Sequence, residues 1–169
     1  PHLLAAMETF PEFGNAGIRT FFNGPESFTN DNLHLLGPTP EVENFYVACG
    51  MNSKGIAASG GLGKILADWV IDGHPSGEIT ETDVRRNNAV QTTDTYVKAR
   101  IPEALGHTYA MHWPFYQYQT ARNLIQSPLH QALLDQGACF GEVGGYERPN
   151  WFARNGAPAE YDYSYKRQN

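Results

Sequence analysis

A catalytic or binding site needs a nucleophile with its base, a set of metal ligands, or backbone dipoles and charge arranged around a cofactor. The residues able to supply these are few in this sequence. His107 and His112 lie five positions apart, not the four that set two imidazoles on one helical face over a zinc ion, and no Cys or acidic cluster accompanies them. They read as fillers of an aromatic core or interface, and no metal is expected. Ser27, Ser53, Ser59, Ser76, Ser127 and Ser164 include no G-x-S-x-G nucleophile elbow. Neither Cys49 nor Cys139 stands beside a His or in a C-x-x-C pair, and Cys49 reads as a small buried strand residue.

Residues 44–73, NFYVACGMNSKGIAASGGLGKILADWVIDG, are different. An apolar run enters a loop of small residues and a helical pattern leaves it. Gly50, Gly55, Gly60 and Gly61 allow positive φ or close approach of a ligand to the backbone. A helix starting after Ser59 would direct roughly half a positive charge and its unpaired N–H groups back into that loop. Neither G-x-G-x-x-G nor G-x-x-x-x-G-K-[ST] fits these glycines, so a phosphate cradle is not indicated. Two readings stay open: a nest for a planar anionic or electron-rich ligand, and a plain glycine-rich turn docking a helix on a sheet.

The elements that would position this loop follow from periodicity. Leu3, Leu4, Met7 and Phe10 predict a short amphipathic helix ending near Pro11. Ile18, Phe21 and Phe22 suit a strand, Asn23-Gly24-Pro25 a turn, and Leu33 to Leu36 a second strand closed by Gly37-Pro38. Phe45 to Cys49 reads as a buried strand and Gly50 to Gly61 as loop. Leu62, Ile65, Leu66, Trp69 and Val70 predict a helix over 62–71, with Ser59 as N-cap and Gly73 closing it. The polar stretch 74–95 reads as a linker or module boundary. A helix over 94–105 must accommodate Pro102. Ser127-Pro128 opens another helix, which Gly137 ends. From Cys139 onward, loop or the start of another module is expected.

At 169 residues the chain has room for one ordinary domain or two small ones. A hydrophobic fraction of 41%, with nine Phe, nine Tyr and three Trp, suffices for a core. With a net charge of −6 and no basic block, nucleic acid is not an expected partner. No apolar stretch reaches the ~20 residues that span a bilayer, so no membrane partner is expected either. Two cysteines cannot build a disulfide framework, and a reducing compartment, cytoplasmic or mitochondrial matrix, is the simpler expectation. Both ends read as cut, so the chain is expected to be a piece of something larger.

Several strings taken together resemble the dimethylglycine and sarcosine dehydrogenase/oxidase family. They are NGPESFTNDNLHLLGPTP, YVACGMNSKGIAASGGLGKILADWVIDG, YAMHWPF, TARNLIQSPLH and GACFGEVGGYERPNWFA, and they occur in family order along nearly the whole chain. The terminal KRQN resembles the family's GRQNWF string broken off midway, with Lys166 in place of Gly. The family joins an FAD-dependent amine oxidoreductase to a folate-binding module like the glycine-cleavage T protein.

The resemblance implies an α+β (mixed α/β) fold. Residues 1–82 would be the end of a D-amino-acid-oxidase-like FAD domain. Residues 83–139 would be a small, mostly helical central domain, and 140–169 the start of the aminomethyltransferase domain. It implies that Asn52, Ser53, Lys54, Gly55 and Ile56 lie along the pyrimidine edge of the flavin ring, with Ser59 at the start of the following helix. Negative charge gathering at flavin N1 and O2 on reduction would meet backbone N–H groups there, and Lys54 could add a full charge. Glu26 and Ser27, in GPESFT, would line the flavin side of the site. Thr29, Asp31 and Gly37 match the family pattern T-P-D-G-x-P-x-x-G, while Asn30, Asn32 and His34 depart from it, which implies a looser turn.

The implied activity is oxidative demethylation of an N-methylated glycine, dimethylglycine or sarcosine, with one-carbon transfer to tetrahydrofolate in the downstream module. The implied partners are that small amine and the rest of the polypeptide. The alternative implied by the same family is a non-catalytic regulatory homologue, like the regulatory subunit of pyruvate dehydrogenase phosphatase. A free-standing aminomethyltransferase is a third reading, disfavoured because only the first ~30 residues of such a module would be present.

Overall fold

The structure is a computed structural model that describes residues 2–110, 116–161 and 163. The YAMHWPF string beyond Ala110, with His112, and the terminal KRQN lie outside the described residues. In chain order, helix α1 spans His2–Thr9, strand β1 Leu35–Pro38, strand β2 Tyr46–Cys49, and helix α2 Gly55–Asp72. Helix α3 spans Asp94–Tyr109, helix α4 His130–Asp135, strand β3 Ala138–Val143 and strand β4 Tyr146–Phe152. Helices and small antiparallel sheets together make the mixed α+β fold.

Strands β1 and β2 pair antiparallel, with Leu36 opposite Ala48 and Gly37 opposite Val47. Helix α2 packs on this pair through Trp69, which is buried. That contact depends on Gly37. Its φ of +112° suits glycine alone, and a Cβ there would lie 2.5 Å from the Trp69 ring. Strand β2 is not buried as its apolar run predicts. Two strands cover little surface, so Ala48 and Cys49 are exposed. The expected strand at Ile18, Phe21 and Phe22 does not form. Residues 16–28 are irregular, with Phe21 and Phe22 85% and 86% exposed, because among the described residues no neighbouring strand supplies ladder bonds.

The predicted loop 50–61 is the largest departure. Helix α2 starts at Gly55, so Gly60, Gly61 and Gly63 are helical, and Ser59 is not a cap. Its hydroxyl donates to the Ile56 carbonyl within the helix, 3.0 Å away. The C-terminal end is as the pattern predicts, with Gly73 in the left-handed region at φ 79° and its N–H on the Trp69 carbonyl.

Residues 74–95 are not a featureless linker. Leu36 N–H bonds the Thr82 carbonyl at 2.9 Å, and 3₁₀ turns follow at Val84–Arg86 and Ala89–Thr92. Asn88 and Gln91 form a reciprocal capping box on the second turn. Helix α3 is capped by Thr93, whose Oγ1 accepts from Tyr96 N–H, and runs through Pro102 without ending. Beyond Cys139 a hairpin stands where loop is expected. Gly144 and Gly145, at φ 59° and 86°, make its two-residue turn, the conformation that a primed turn requires.

Candidate functional site

The candidate site is the junction between β2 and α2. Asn52 and Ser53 both stand in the left-handed region, at φ 48° and 63°. Two such non-glycine residues in succession are unfavourable unless the surroundings dictate them. Here Asn52 is fully buried, and its amide supplies that dictation. Oδ1 accepts from Thr29 N–H at 2.9 Å, while Nδ2 donates to the Thr29 hydroxyl at 3.1 Å and to the Gly50 carbonyl. The Asn52 N–H donates to the Ser27 carbonyl at 3.1 Å. The expected role of Asn52 is thereby changed. Its N–H is already taken inside the protein, and its side chain braces the loop.

Lys54 is the helix N-cap residue and offers no side-chain cap; its N–H bonds the Met51 carbonyl at 2.9 Å. The first-turn N–H groups of Gly55, Ile56 and Ala57, and that of Ser53, have no partner among the described residues. They stand beside the exposed Lys54 and Ile56, the latter 98% exposed. Lys54 Nζ reaches the Asn32 carbonyl at 3.4 Å. The helix N-terminus thus falls on the NSKG stretch itself, and not at Ser59, which sits one turn further along. Glu26 and Ser27 are both exposed. Only Ser27 is tied to the loop, through its carbonyl. Free donors, a positive helix end and a cation together suit an electron-rich group carrying developing negative charge, so these residues fit a flavin edge.

The turn that precedes β1 is braced from the other side. Arg86 forks onto Asp31, with Nε to Oδ2 at 2.7 Å and Nη2 to Oδ1 at 2.8 Å, and Nη1 donates to the His34 carbonyl at 2.8 Å. Asn32 takes the left-handed conformation at φ 61°, as its departure from the family glycine allows. Arg86 and the bracing amide of Asn52 were not distinguishable in the sequence. Their partners lie 55 and 23 positions away, and no local pattern marks such contacts.

Beside this turn is a cavity of about 340 Å³, bordered among others by Asn30, Asp31, Gln91, Arg100 and Tyr118. Arg100 is buried, pairs with Glu142 at 2.6 Å and lies over the Tyr118 ring at 4.2 Å. Burial pushes the Tyr118 phenol up to about 12, so it stays protonated. His107 packs on the rings of Tyr116 and Tyr118, in the aromatic role expected of it. Among the described residues, no group of three or more His, Cys, Asp and Glu could hold a metal ion. No helix among them is long and apolar enough to cross a membrane.

A family model described as FAD dependent oxidoreductase matches residues 2–69, and one described as FAD dependent oxidoreductase central domain matches residues 72–127. A 4-methylaminobutanoate oxidase (formaldehyde-forming) from Paenarthrobacter nicotinovorans is 48% identical over 159 residues, covering 94% of this chain and 19% of that protein. Human mitochondrial sarcosine dehydrogenase is 38% identical over 165 residues, 96% of this chain and 18% of that protein. A mitochondrial pyruvate dehydrogenase phosphatase regulatory subunit from Mus musculus is 37% identical over 152 residues, 90% of this chain and 17% of that protein. The chain therefore spans about a fifth of the length of the curated relatives it matches. Matched by both models along successive stretches, and similar nearly end to end to sarcosine and dimethylglycine dehydrogenases, the chain is homologous to FAD-dependent oxidoreductases.

Proposed function

We propose that this chain forms one wall of the flavin pocket in an enzyme that oxidatively demethylates an N-methylated glycine, dimethylglycine or sarcosine. The observation that carries the reading is the α2 N-terminus, with unpartnered N–H groups at Ser53 and Gly55–Ala57 and Lys54 beside them. Bound FAD would supply the two-electron acceptor. The chain's own contribution is electrostatic: fixed N–H dipoles and the Lys54 ammonium favour negative charge at the pyrimidine edge, and Ser27 holds the loop through its carbonyl. The stretch 83–139 would form the central domain and 140–169 the start of a folate module that passes the one-carbon unit to tetrahydrofolate. The order of the two family matches supports the oxidoreductase and central stretches, and the folate module rests on the resemblance of the later strings. Mitochondrial relatives favour a matrix location for the whole protein.

Replacing Lys54 with Met in the full-length protein tests the wall. Loss of one partly screened charge, about 0.5–1 kcal/mol, lowers the two-electron flavin potential by about 10–20 mV. An unchanged potential removes Lys54 from the flavin edge. The similarity to a phosphatase regulatory subunit favours a second reading, a scaffold without catalysis. Anaerobic mixing of the full-length flavoprotein with dimethylglycine and with sarcosine separates the two. Bleaching of the flavin absorbance marks the enzyme. Formaldehyde release that falls when tetrahydrofolate is added marks the folate transfer.

A further inference from the structure

The 29–34 turn is where the stretch matched as oxidoreductase meets the stretch matched as its central domain, and both hold it by side chains. From the central stretch, Arg86 grips Asp31 with two parallel bonds and also donates through Nη2 to the Leu33 carbonyl at 3.0 Å. From helix α3, the Ala104 carbonyl accepts from Asn32 Nδ2, and the Thr108 hydroxyl donates to Asn32 Oδ1 at 3.0 Å. Asn30 Nδ2 reaches Asn87 Oδ1 at 3.2 Å. The loop before α2 is bonded to the same turn through Asn52. The Leu33 carbonyl accepts from the Thr29 hydroxyl at 2.9 Å and lies 3.4 Å from Asn52 Nδ2. One carbonyl therefore joins Arg86 of the central stretch to Asn52 of the loop.

These groups are largely withdrawn from water: Thr29 and Asn30 are each 7% exposed and Asn52 is 0% exposed. A buried donor left unpaired loses its water without a replacement partner, so the turn cannot shift relative to α3 without either breaking a bond or carrying Thr29 and Asn52 with it. Asn52 in turn fixes two successive left-handed residues, and the N–H groups of Ser53 and Gly55 follow directly. Strained backbone of this kind persists only where its surroundings over-determine it.

We infer that Arg86, Asn32 and Thr108 are positioning residues, through which the central stretch sets where the N–H groups at the start of α2 stand. The flavin consequence rests on the placement of that helix end against the ring, but the mechanical link does not.

The test uses the full-length FAD-loaded protein carrying Arg86→Lys, Thr108→Val or Thr108→Ser. Lysine keeps the charge and cannot fork; valine keeps the shape and loses the donor; serine keeps the donor. Hydrogen exchange is read at the bonded amides of Asn52, Lys54 and Ala58. Arg86→Lys and Thr108→Val should speed that exchange by roughly two- to tenfold, the factor that one lost hydrogen bond represents. The β3–β4 hairpin should keep its rate, and Thr108→Ser should match the unsubstituted protein. Unchanged exchange at these amides in both the lysine and valine variants overturns the inference. So does loss of protection that spreads equally to the hairpin, since that is general loosening. The flavin potential is read in parallel. Faster local exchange with an unmoved potential upholds the link and overturns the placement of this helix end at the flavin.

Discussion

A methyl group added at Gly37 would meet the Trp69 ring and would also have to adopt φ +112°. Both effects act in one direction. Gly37→Ala should lower stability by about 2–4 kcal/mol in chemical denaturation followed by tryptophan fluorescence, because overpacking and backbone strain add at this site. At the same scale, sequence reasoning picked out the NSKG residues but not what each of them does. The loop was legible because small residues between a strand pattern and a helix pattern are uncommon. The inward amide of Asn52 was not, since an Asn reads alike whether it faces a ligand or Thr29. Arg86 was hidden for the same reason, inside a polar stretch whose charges look like solvated surface.

Helix α2 shows what periodicity can and cannot locate at the scale of an element. Its apolar stripe from Leu62 to Trp69 was legible, and so was the closing Gly73. Its first two turns were masked by Gly60, Gly61 and Gly63, each carrying about 1 kcal/mol of helix penalty relative to Ala. Tertiary packing of Trp69 and the low cost of extending an existing helix override that penalty. Among the described residues, nothing beyond its chain neighbours and the helix's own nearby backbone lies within 4 Å of a Cβ built at Gly60 or Gly61. Within residues 1–169, Gly60→Ala with Gly61→Ala should therefore stabilise α2 by about 1–2 kcal/mol in sum, seen as higher helical content by circular dichroism. The β3–β4 hairpin was missed although V-G-G-Y carries a two-residue turn signal. Its strands hold Glu142 and Glu147 where alternation would put apolar residues, and both are buried against arginines.

Among the described residues, three arginine–carboxylate pairs bind distant segments: Arg86 with Asp31, Arg100 with Glu142, and Arg122 with Glu147. Burial alone would raise the Glu147 carboxyl, but two bonds from Arg122 and the Asn123 N–H outweigh it and hold it below the ordinary carboxylate range. Glu103 is lowered in the same way by Thr120 and the Gln119 N–H, against its own burial. A carboxyl lowered in the folded state binds its proton more readily when unfolded. The stability it contributes is complete above the ordinary carboxylate range and is lost as pH falls through its folded value. The urea midpoint should therefore drop between about pH 5 and pH 3, and Glu147→Gln, weaker at neutral pH, should lose less over that window. At this scale the family strings in their order were the legible part. The contacts between them were not, because Asn30, Asp31 and Asn32 find partners more than fifty positions later.

The two thiols stand in opposite environments. Cys49 is exposed at the end of β2, three residues before Asn52, whereas Cys139 is buried in β3 with its thiol raised by desolvation. An alkylating dye at neutral pH would therefore enter at Cys49 alone in the folded chain, and at Cys139 only when the hairpin opens. One sequence thus carries a spectroscopic handle next to the candidate site and a separate chemical clock for the unfolding of its far end.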